Sequence, residues 1–213
     1  MADSDDPRDR LLAAAGEIFA EKGFEGATVR KIIERAGVNI AGVNYYFRDK
    51  ERLYIEAVKR AACGAPGEAP AWPTGTAPAL KLRDFIRQMV RHLFDPNRPA
   101  WHARLMMREM AQPTSACAEL VRDYIGPRAA VLEGVIRELV PPQVPRWKRL
   151  MISFSIVGQM LFYVSHKPIL ELLAGPEALK HFDEATVAEH VTEFSLQALG
   201  VSAAARKRVA AEN

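Results

Sequence analysis

Apolar residues recur at helical spacing along most of the chain, and this pattern predicts an all-α fold. The clearest stripe has members three and four positions apart and predicts a helix that ends at Asp95 and Pro96. Its members are Leu82, Phe85, Ile86, Met89, Val90 and Leu93. An earlier helix is expected from Pro7, a first-turn proline, to about Lys22, and Gly23 ends it.

The second half of the chain continues the helical pattern. One helix is expected from about Pro99 to Ala111, and a longer one from about Ser115 to Val140. Gly126 and Pro127 lie in the middle of the longer helix, and we expect a kink there because proline removes one backbone hydrogen bond and crowds the preceding turn.

Two short helices joined by a glycine turn are predicted between Thr28 and Phe47. Thr28 and Asn39 are good N-capping residues, and Gly37 supplies the positive φ of a helix stop. The second helix should bury Val43 and Phe47, which are four residues apart. Its opposite face is expected to carry Asn39, Ile40, Gly42, Asn44 and Tyr46. Such small or hydrogen-bonding groups suit close approach to a DNA groove, although a surface helix of poor helix formers has the same composition.

A further helix begins after Asp49, an N-capping residue, and has Lys50 in its first turn. Its inner stripe is expected to be Leu53, Tyr54, Ala57, Val58 and Ala61. The free N–H groups of the helix and the ammonium of Lys50 favour phosphate binding. Between Thr28 and Arg60, eight basic residues stand against four acidic ones, an excess that suits phosphate contacts.

Composition excludes several other classes. The 213 residues are 49% hydrophobic and 26% charged with a net charge of +3, enough for one large or two small globular domains. The two cysteines, Cys63 and Cys117, are far apart, which argues against a disulfide framework and against zinc. The histidines have no metal-binding spacing, and neither a nucleophile motif nor a phosphate-binding glycine loop occurs, so we expect no enzyme, no metal and no cofactor.

No apolar run reaches the length of about 18 residues that a membrane span requires, and the acidic N-terminus is unlike a signal peptide, so a cytoplasmic protein is expected.

A change in composition marks the domain boundary. Residues 63–78 are rich in proline and glycine and read as a loop, with Trp72 anchoring it on a neighbouring surface. We therefore expect a helix-turn-helix DNA-binding domain at residues 1–62, in which a connecting helix starts at about residue 50, and a second helical domain at residues 79–213.

The N-terminal part resembles a known family. The sequences TVRKIIERAGVN and YYFRDKERLY, after a helix ending near Gly23, are similar to the DNA-binding domain of TetR-family transcriptional repressors over roughly Arg8 to Ala62. The resemblance implies that Tyr45 and Lys50 contact phosphates and that the helix after Asn39 faces base edges. The DNA-binding residues we expect are Thr28, Arg30, Asn39, Ile40, Ala41, Gly42, Asn44, Tyr45, Tyr46 and Lys50. This chain departs from the family in having Ile40 in place of a polar residue and Asn44 in place of tyrosine.

The C-terminal part is similar to CecR-like (YbiH-type) TetR regulators, through the sequence WHARLMMREMAQPT from Trp101 to Thr114. Aromatic and thioether side chains are concentrated on the predicted helices of this part. They could line an apolar pocket for a small apolar or amphipathic effector, or they could form ordinary core. The candidate lining is Trp101, His102, Leu105, Met106, Met110, Tyr124, Phe154, Phe162, Tyr163 and His166.

Two helices near residues 146–166 and 184–200 are expected to form a homodimer interface. The first is apolar on nearly all faces from Leu150 to Val164, yet it is too short and too polar to span a bilayer. Dimerisation would place two short recognition helices in successive major grooves about 34 Å apart, on a palindromic operator.

The sequence thus predicts an effector-released repressor in which the helix from Lys50 to Cys63 connects the two domains. Two alternatives are a helical binding protein without DNA-binding activity and a helical-bundle enzyme.

Overall fold

The computed structural model describes residues 6–63 and 70–211, and within these ranges the regular structure is helical. The all-α prediction is therefore confirmed. The helices are α1 (Pro7–Gly26), α2 (Val29–Ala36), α3 (Ile40–Phe47), α4 (Lys50–Cys63), α5 (Pro78–Phe94), α6 (Ala100–Ala111), α7 (Ser115–Leu120), a π-helical turn (Val121–Ile125), α8 (Gly126–Leu139), α9 (Arg146–Ser165), α10 (Lys167–Leu179), α11 (Glu184–Ala198) and α12 (Ala203–Ala211).

The helices form two compact units. The first unit contains residues 6–63 and 97–126, and the second contains residues 70–96 and 127–211. This division differs from the predicted domains, because residues 97–126 lie in the first unit and not with the rest of the C-terminal part. The physical reason is that α6 packs against both α1 and α4, and that α7 packs against α4.

The core of the first unit is built around α1 and α4. All five predicted inner residues of α4 are buried. The rings of Phe19 and Tyr54 meet edge to face with centroids 4.9 Å apart. Trp101 of α6 lies so close to Gly16 of α1 that a Cβ at Gly16 would come within 2.3 Å of the indole. The close packing of α1 on α6 therefore depends on that glycine.

The core of the second unit is formed mainly by α5, α8, α9 and α11. The α5 stripe is buried at Leu82, Phe85, Ile86 and Val90, which confirms the predicted inner face. The segment before α5 is held by Trp72, whose indole N–H donates a hydrogen bond of 2.8 Å to Asp84 Oδ2. The expectation that Trp72 anchors this segment is confirmed.

The irregularity predicted at Gly126 and Pro127 takes the form of a π-helical turn. The backbone N–H of Gly126 donates to the carbonyl of Val121, five residues earlier. A Cβ at Gly126 would lie 2.7 Å from that carbonyl oxygen. The wide turn immediately precedes Pro127, so the disruption that proline causes is absorbed by a change of hydrogen-bond register.

Candidate nucleic-acid interface

The turn between α2 and α3 is fixed by the local interactions that the sequence predicts. Thr28 Oγ1 accepts a hydrogen bond of 3.3 Å from the N–H of Lys31, and Asn39 Oδ1 accepts one of 3.1 Å from the N–H of Gly42. Gly37 ends α2 in the left-handed region, with φ of 64°, and its N–H donates to the carbonyl of Ile33. Both N-caps and the glycine stop are thereby confirmed, and they set the angle at which α3 leaves α2.

The face that α3 presents to solvent differs from the predicted one at two positions. Val43 and Phe47 are buried as expected, each 1% exposed. Gly42 and Tyr46, however, are half-buried: Tyr46 packs against the core, and a Cβ at Gly42 would lie 3.5 Å from Leu11. A helix turns by about 100° per residue, so positions one before the two buried residues flank the inner face. The outer face consists of Ile40, Ala41, Asn44 and Tyr45.

This outer face combines apolar bulk with one amide. Ile40 is 60% exposed and Tyr45 is 82% exposed, both high values for large hydrophobic side chains. The ring of Tyr45 meets that of Tyr46 edge to face, with centroids 4.9 Å apart. The eight residues of α3 include no charged residue, so the chemistry of this face resides in a hydroxyl, an amide and aliphatic groups.

The N-terminus of α4 lies directly after α3 and carries cationic groups. Asp49 caps it by accepting a hydrogen bond of 2.8 Å from the N–H of Arg52. The ammonium of Lys50 lies 4.4 Å from the ring centroid of Phe24, a cation–π contact that holds the charge beside the helix start. Arg48, between the two helices, is exposed and has a positive φ of 70°. Phe24 and Arg48 were not among the predicted DNA-binding residues, because the contact of Phe24 is nonlocal and Arg48 lies outside the helices.

The other predicted DNA-binding residues are placed at the start of α2. Thr28 and Arg30 are exposed. The Nε of Arg30 donates a hydrogen bond of 2.8 Å to Glu34 Oε1, one turn further along the helix. A phosphate contact by Arg30 would therefore compete with an existing ion pair, a weak one at this exposure.

The candidate effector-binding residues are divided between the two units. Six belong to the first unit: Trp101, His102, Leu105, Met106, Met110 and Tyr124. Four belong to the second: Phe154, Phe162, Tyr163 and His166. Leu105 has no exposed surface and contributes to the core of the first unit, whereas Phe154 is 63% exposed.

The sequence REMAQPT has a structural role that the sequence analysis did not identify. Glu109 is fully buried, and its carboxylate accepts hydrogen bonds from the hydroxyl of Tyr54 at 2.6 Å and from the backbone N–H of Thr114 at 2.8 Å. The Thr114 hydroxyl lies 3.0 Å from the same carboxylate. Glu109 thus links α4, α6 and the start of α7. Burial, followed by the hydrogen bond to Glu109, raises the pKa of Tyr54 above its ordinary value.

A second polar contact joins α4 to α7 and the π-helical turn. Lys59 Nζ lies 2.6 Å from Glu119 and 3.3 Å from Asp123, and Arg52 is 3.0 Å from Glu119. Hydrogen bonding to Lys59 lowers the pKa of the Glu119 carboxyl. Helix α4, which follows α3, is therefore attached to its neighbours by one buried and one partly exposed polar cluster.

In the second unit, α9 and α11 border an open apolar groove of about 460 Å³. The groove is lined by Trp147, Lys148, Met151, Ile152, Ser155, Ile156, Gln159, Phe194, Ser195, Ala198 and Leu199. Trp147, Met151 and Phe194 are each more than half exposed. The Oγ of Ser195 is buried without a hydrogen-bond partner among the described residues. A helix that is apolar on nearly all faces is expected to be covered on every side, but among the described residues nothing covers this side of α9.

Residues 6–63 and 70–211 contain neither a helix long and apolar enough to cross a membrane nor a group of three or more side chains placed to hold a metal ion.

Two protein-family models match the chain. The model described as "Bacterial regulatory proteins, tetR family" matches residues 11–57, and "HTH-type transcriptional dual regulator CecR, C-terminal domain" matches residues 78–199. The first match covers most of α1, all of α2 and α3, and the first eight residues of α4. The second covers the helices from α5 to the end of α11.

Relatives of known name are also regulators. The chain is 42% identical over 135 residues to the probable HTH-type transcriptional regulator YttP of Bacillus subtilis, covering 62% of this chain and 63% of that protein. It is 38% identical over 104 residues to the HTH-type transcriptional repressor AcnR of Corynebacterium diphtheriae, covering 48% of this chain and 49% of that protein. The alignments therefore span about half to two thirds of each relative's own length.

Solved structures share the fold. The transcriptional regulator FadR from Bacillus subtilis, solved in complex with stearoyl-CoA, superposes with a TM-score of 0.59 at 18% identity, over 88% of this chain and 96% of that one.

Proposed function

Because the chain belongs to the TetR family of bacterial regulators and has a CecR-type C-terminal domain, we propose that it is a ligand-responsive transcriptional repressor that binds a palindromic operator as a homodimer. The observation that carries the proposal is the outer face of α3, where Ile40, Ala41, Asn44 and Tyr45 are exposed on a capped, uncharged helix. Such a helix can enter a major groove without burying a charge against the bases.

Phosphate contacts would surround α3 on both sides. Thr28 and Arg30 begin α2, whereas Lys50 begins α4, so groups that donate hydrogen bonds to phosphate lie at two helix N-termini. Phe24 holds the ammonium of Lys50 near the second of these. Contacts of this kind position a protein on DNA and carry no sequence information, so base choice would depend on Asn39 to Tyr45.

The homodimer would form through α9 and α11, the predicted interface helices near residues 146–166 and 184–200. The groove between them exposes Trp147, Met151 and Phe194. Aromatic and methionine side chains of this size typify the centre of an interface. Because a two-fold interface is self-complementary, the same groove on a second copy would cover it and give Ser195 new neighbours.

Regulation would act through α4, which follows the recognition helix and is tied to α6 by Glu109 and to α7 by Glu119. An effector that prefers one placement of these helices shifts the population between DNA-binding and released states. The effector class we propose is small and apolar or amphipathic. FadR holds a ligand of that amphipathic class. We further propose that the protein works in the cytoplasm and has no enzymatic activity.

The test is selection of genomic DNA by the purified protein, followed by sequencing of the retained fragments. The expected result is a shared motif with two-fold symmetry, bound by one dimer per site. Retention of random fragments, or of none, would favour the alternative of a helical binding protein without an operator. Effector candidates are then screened for release of the retained fragment.

A further inference from the structure

The first residue of α3 has a side chain that the fold itself does not explain. Ile40 follows the N-cap Asn39 and is 60% exposed. Among the described residues, neither the buried core of the first unit nor the half-buried residues packed against it include Ile40. A β-branched side chain at a helix start contributes little to helix stability, so neither core packing nor helix propensity accounts for isoleucine at this position.

The position of Ile40 on the helix restricts that partner. In helix-turn-helix proteins, the N-terminal residues of the second helix lie closest to the base edges in the major groove. Asn44 is four residues later on the same outer face, and Ala41 is between them. Ile40 and Asn44 therefore approach the groove floor together, about 6 Å apart along the helix axis.

The chemistry of the outer face of α3 further restricts the group that Ile40 can contact. Arginine and lysine are the usual partners of guanine in the major groove, and α3 contains neither. Asparagine pairs with the adenine edge, whereas an apolar side chain complements the C5 methyl group of thymine, the one apolar group that bases present there. Ala41 adds a second small aliphatic group beside Ile40.

We propose that Ile40 is a specificity-determining residue that packs against a thymine methyl group in each half-site, next to an adenine contacted by Asn44. This inference rests on the proposed function, since it names the base that the same surface recognises. It predicts that A·T pairs occupy the base positions that Ile40 and Asn44 contact in each half-site. It also explains how a helix without charge discriminates among sequences.

The test removes the methyl group of one thymine in each half-site and leaves every base-pair hydrogen bond unchanged. An operator is first obtained by selection from random duplexes. Its thymines are then replaced by deoxyuridine one position at a time, with the same position changed in both half-sites. At the position that Ile40 contacts, wild-type affinity is expected to fall about fourfold per half-site, the effect of burying one methyl-sized group, or about 15-fold for the symmetric pair. Ile40→Ala should bind the thymine and uracil operators equally well. Ile169→Ala, at an exposed isoleucine of α10, should retain the full sensitivity.

Two results would overturn the inference alone. One is an operator in which no thymine replacement weakens wild-type binding. The other is equal sensitivity in wild type and Ile40→Ala, because uracil would then act through the DNA rather than through the side chain. A protein that selects no DNA would instead overturn the proposed function, and the inference with it.

Discussion

The hydroxyl of Tyr54 in α4 lies 2.6 Å from the carboxylate of Glu109 in α6, and both side chains are buried. The two residues are 55 positions apart in the sequence. Their hydrogen bond ties α4 to the sequence REMAQPT, so a motif found by resemblance has a defined physical role.

Removing that hydroxyl should destabilise the protein. Tyr54→Phe preserves the ring packing but leaves a buried carboxylate with one donor fewer, at a cost of about 1–3 kcal/mol. The free energy of unfolding in urea measures the effect. Tyr45→Phe, which removes a hydroxyl from an exposed ring, should change it by less than about 0.5 kcal/mol. Equal effects at both positions would contradict a stabilising role for the bond.

Stability should also fall at alkaline pH. Burial and the neighbouring Glu109 raise the pKa of Tyr54, so the folded state holds this proton more tightly than the unfolded chain, where the pKa is about 10. The contribution is complete below the unfolded value and is lost as the pH rises above about 10. Unfolding midpoints between pH 8 and 11 should fall for wild type and fall less for Tyr54→Phe. Parallel curves for the two proteins would contradict the assignment.

The π-helical turn should depend on one glycine. Gly126→Ala would place a Cβ 2.7 Å from the Val121 carbonyl oxygen, and the turn must either shift or revert to α-helical register, at a cost of about 1–3 kcal/mol. Gly134→Ala is the matched control within α8, where an added Cβ would meet no atom within 4 Å beyond its chain neighbours and the local helix backbone. It should stabilise the helix by about 0.5–1 kcal/mol. Thermal unfolding of the two variants compares them, and a stabilised Gly126→Ala would show that the turn is not required.

The groove between α9 and α11 should carry the dimer contact. Phe194→Glu would place a charge at an apolar interface, and sedimentation velocity should show a monomer with weakened operator binding. Leu172→Glu adds the same charge in α10, at a side chain that is 88% exposed, whereas Phe194 is 55% exposed. This control variant should remain dimeric. A dimeric Phe194→Glu protein would place the interface elsewhere.

Local interactions were the part of the fold that the sequence predicts best. Thr28, Gly37 and Asn39 act through hydrogen bonds to residues three or four positions away, so spacing alone identifies them. The outer face of α3 was predicted correctly at Ile40 and Asn44. It differed at Gly42 and Tyr46, because their burial depends on how α3 leans against the rest of the unit.

The remaining features of the fold and the site could not be predicted, because they depend on packing between residues far apart in the sequence. The placement of residues 97–126 with the first unit follows from contacts of α6 with α1 and α4, which no periodicity reveals. The irregularity before Pro127 was predicted from proline chemistry, but its form depends on the Val121 carbonyl. The partner of Glu109 could be identified only after α4 and α6 were placed together.

The central claim, that α3 and the start of α4 bind DNA, is tested most directly by the salt dependence of operator affinity. The account predicts that wild-type affinity falls steeply with salt, and that Lys50→Ala weakens binding to every sequence and reduces the slope of log affinity against log salt by about one per subunit. Lys180→Ala, an exposed lysine of the second unit paired with Glu177, should leave the slope unchanged. DNA affinity that is absent, or that is independent of salt, would contradict the account.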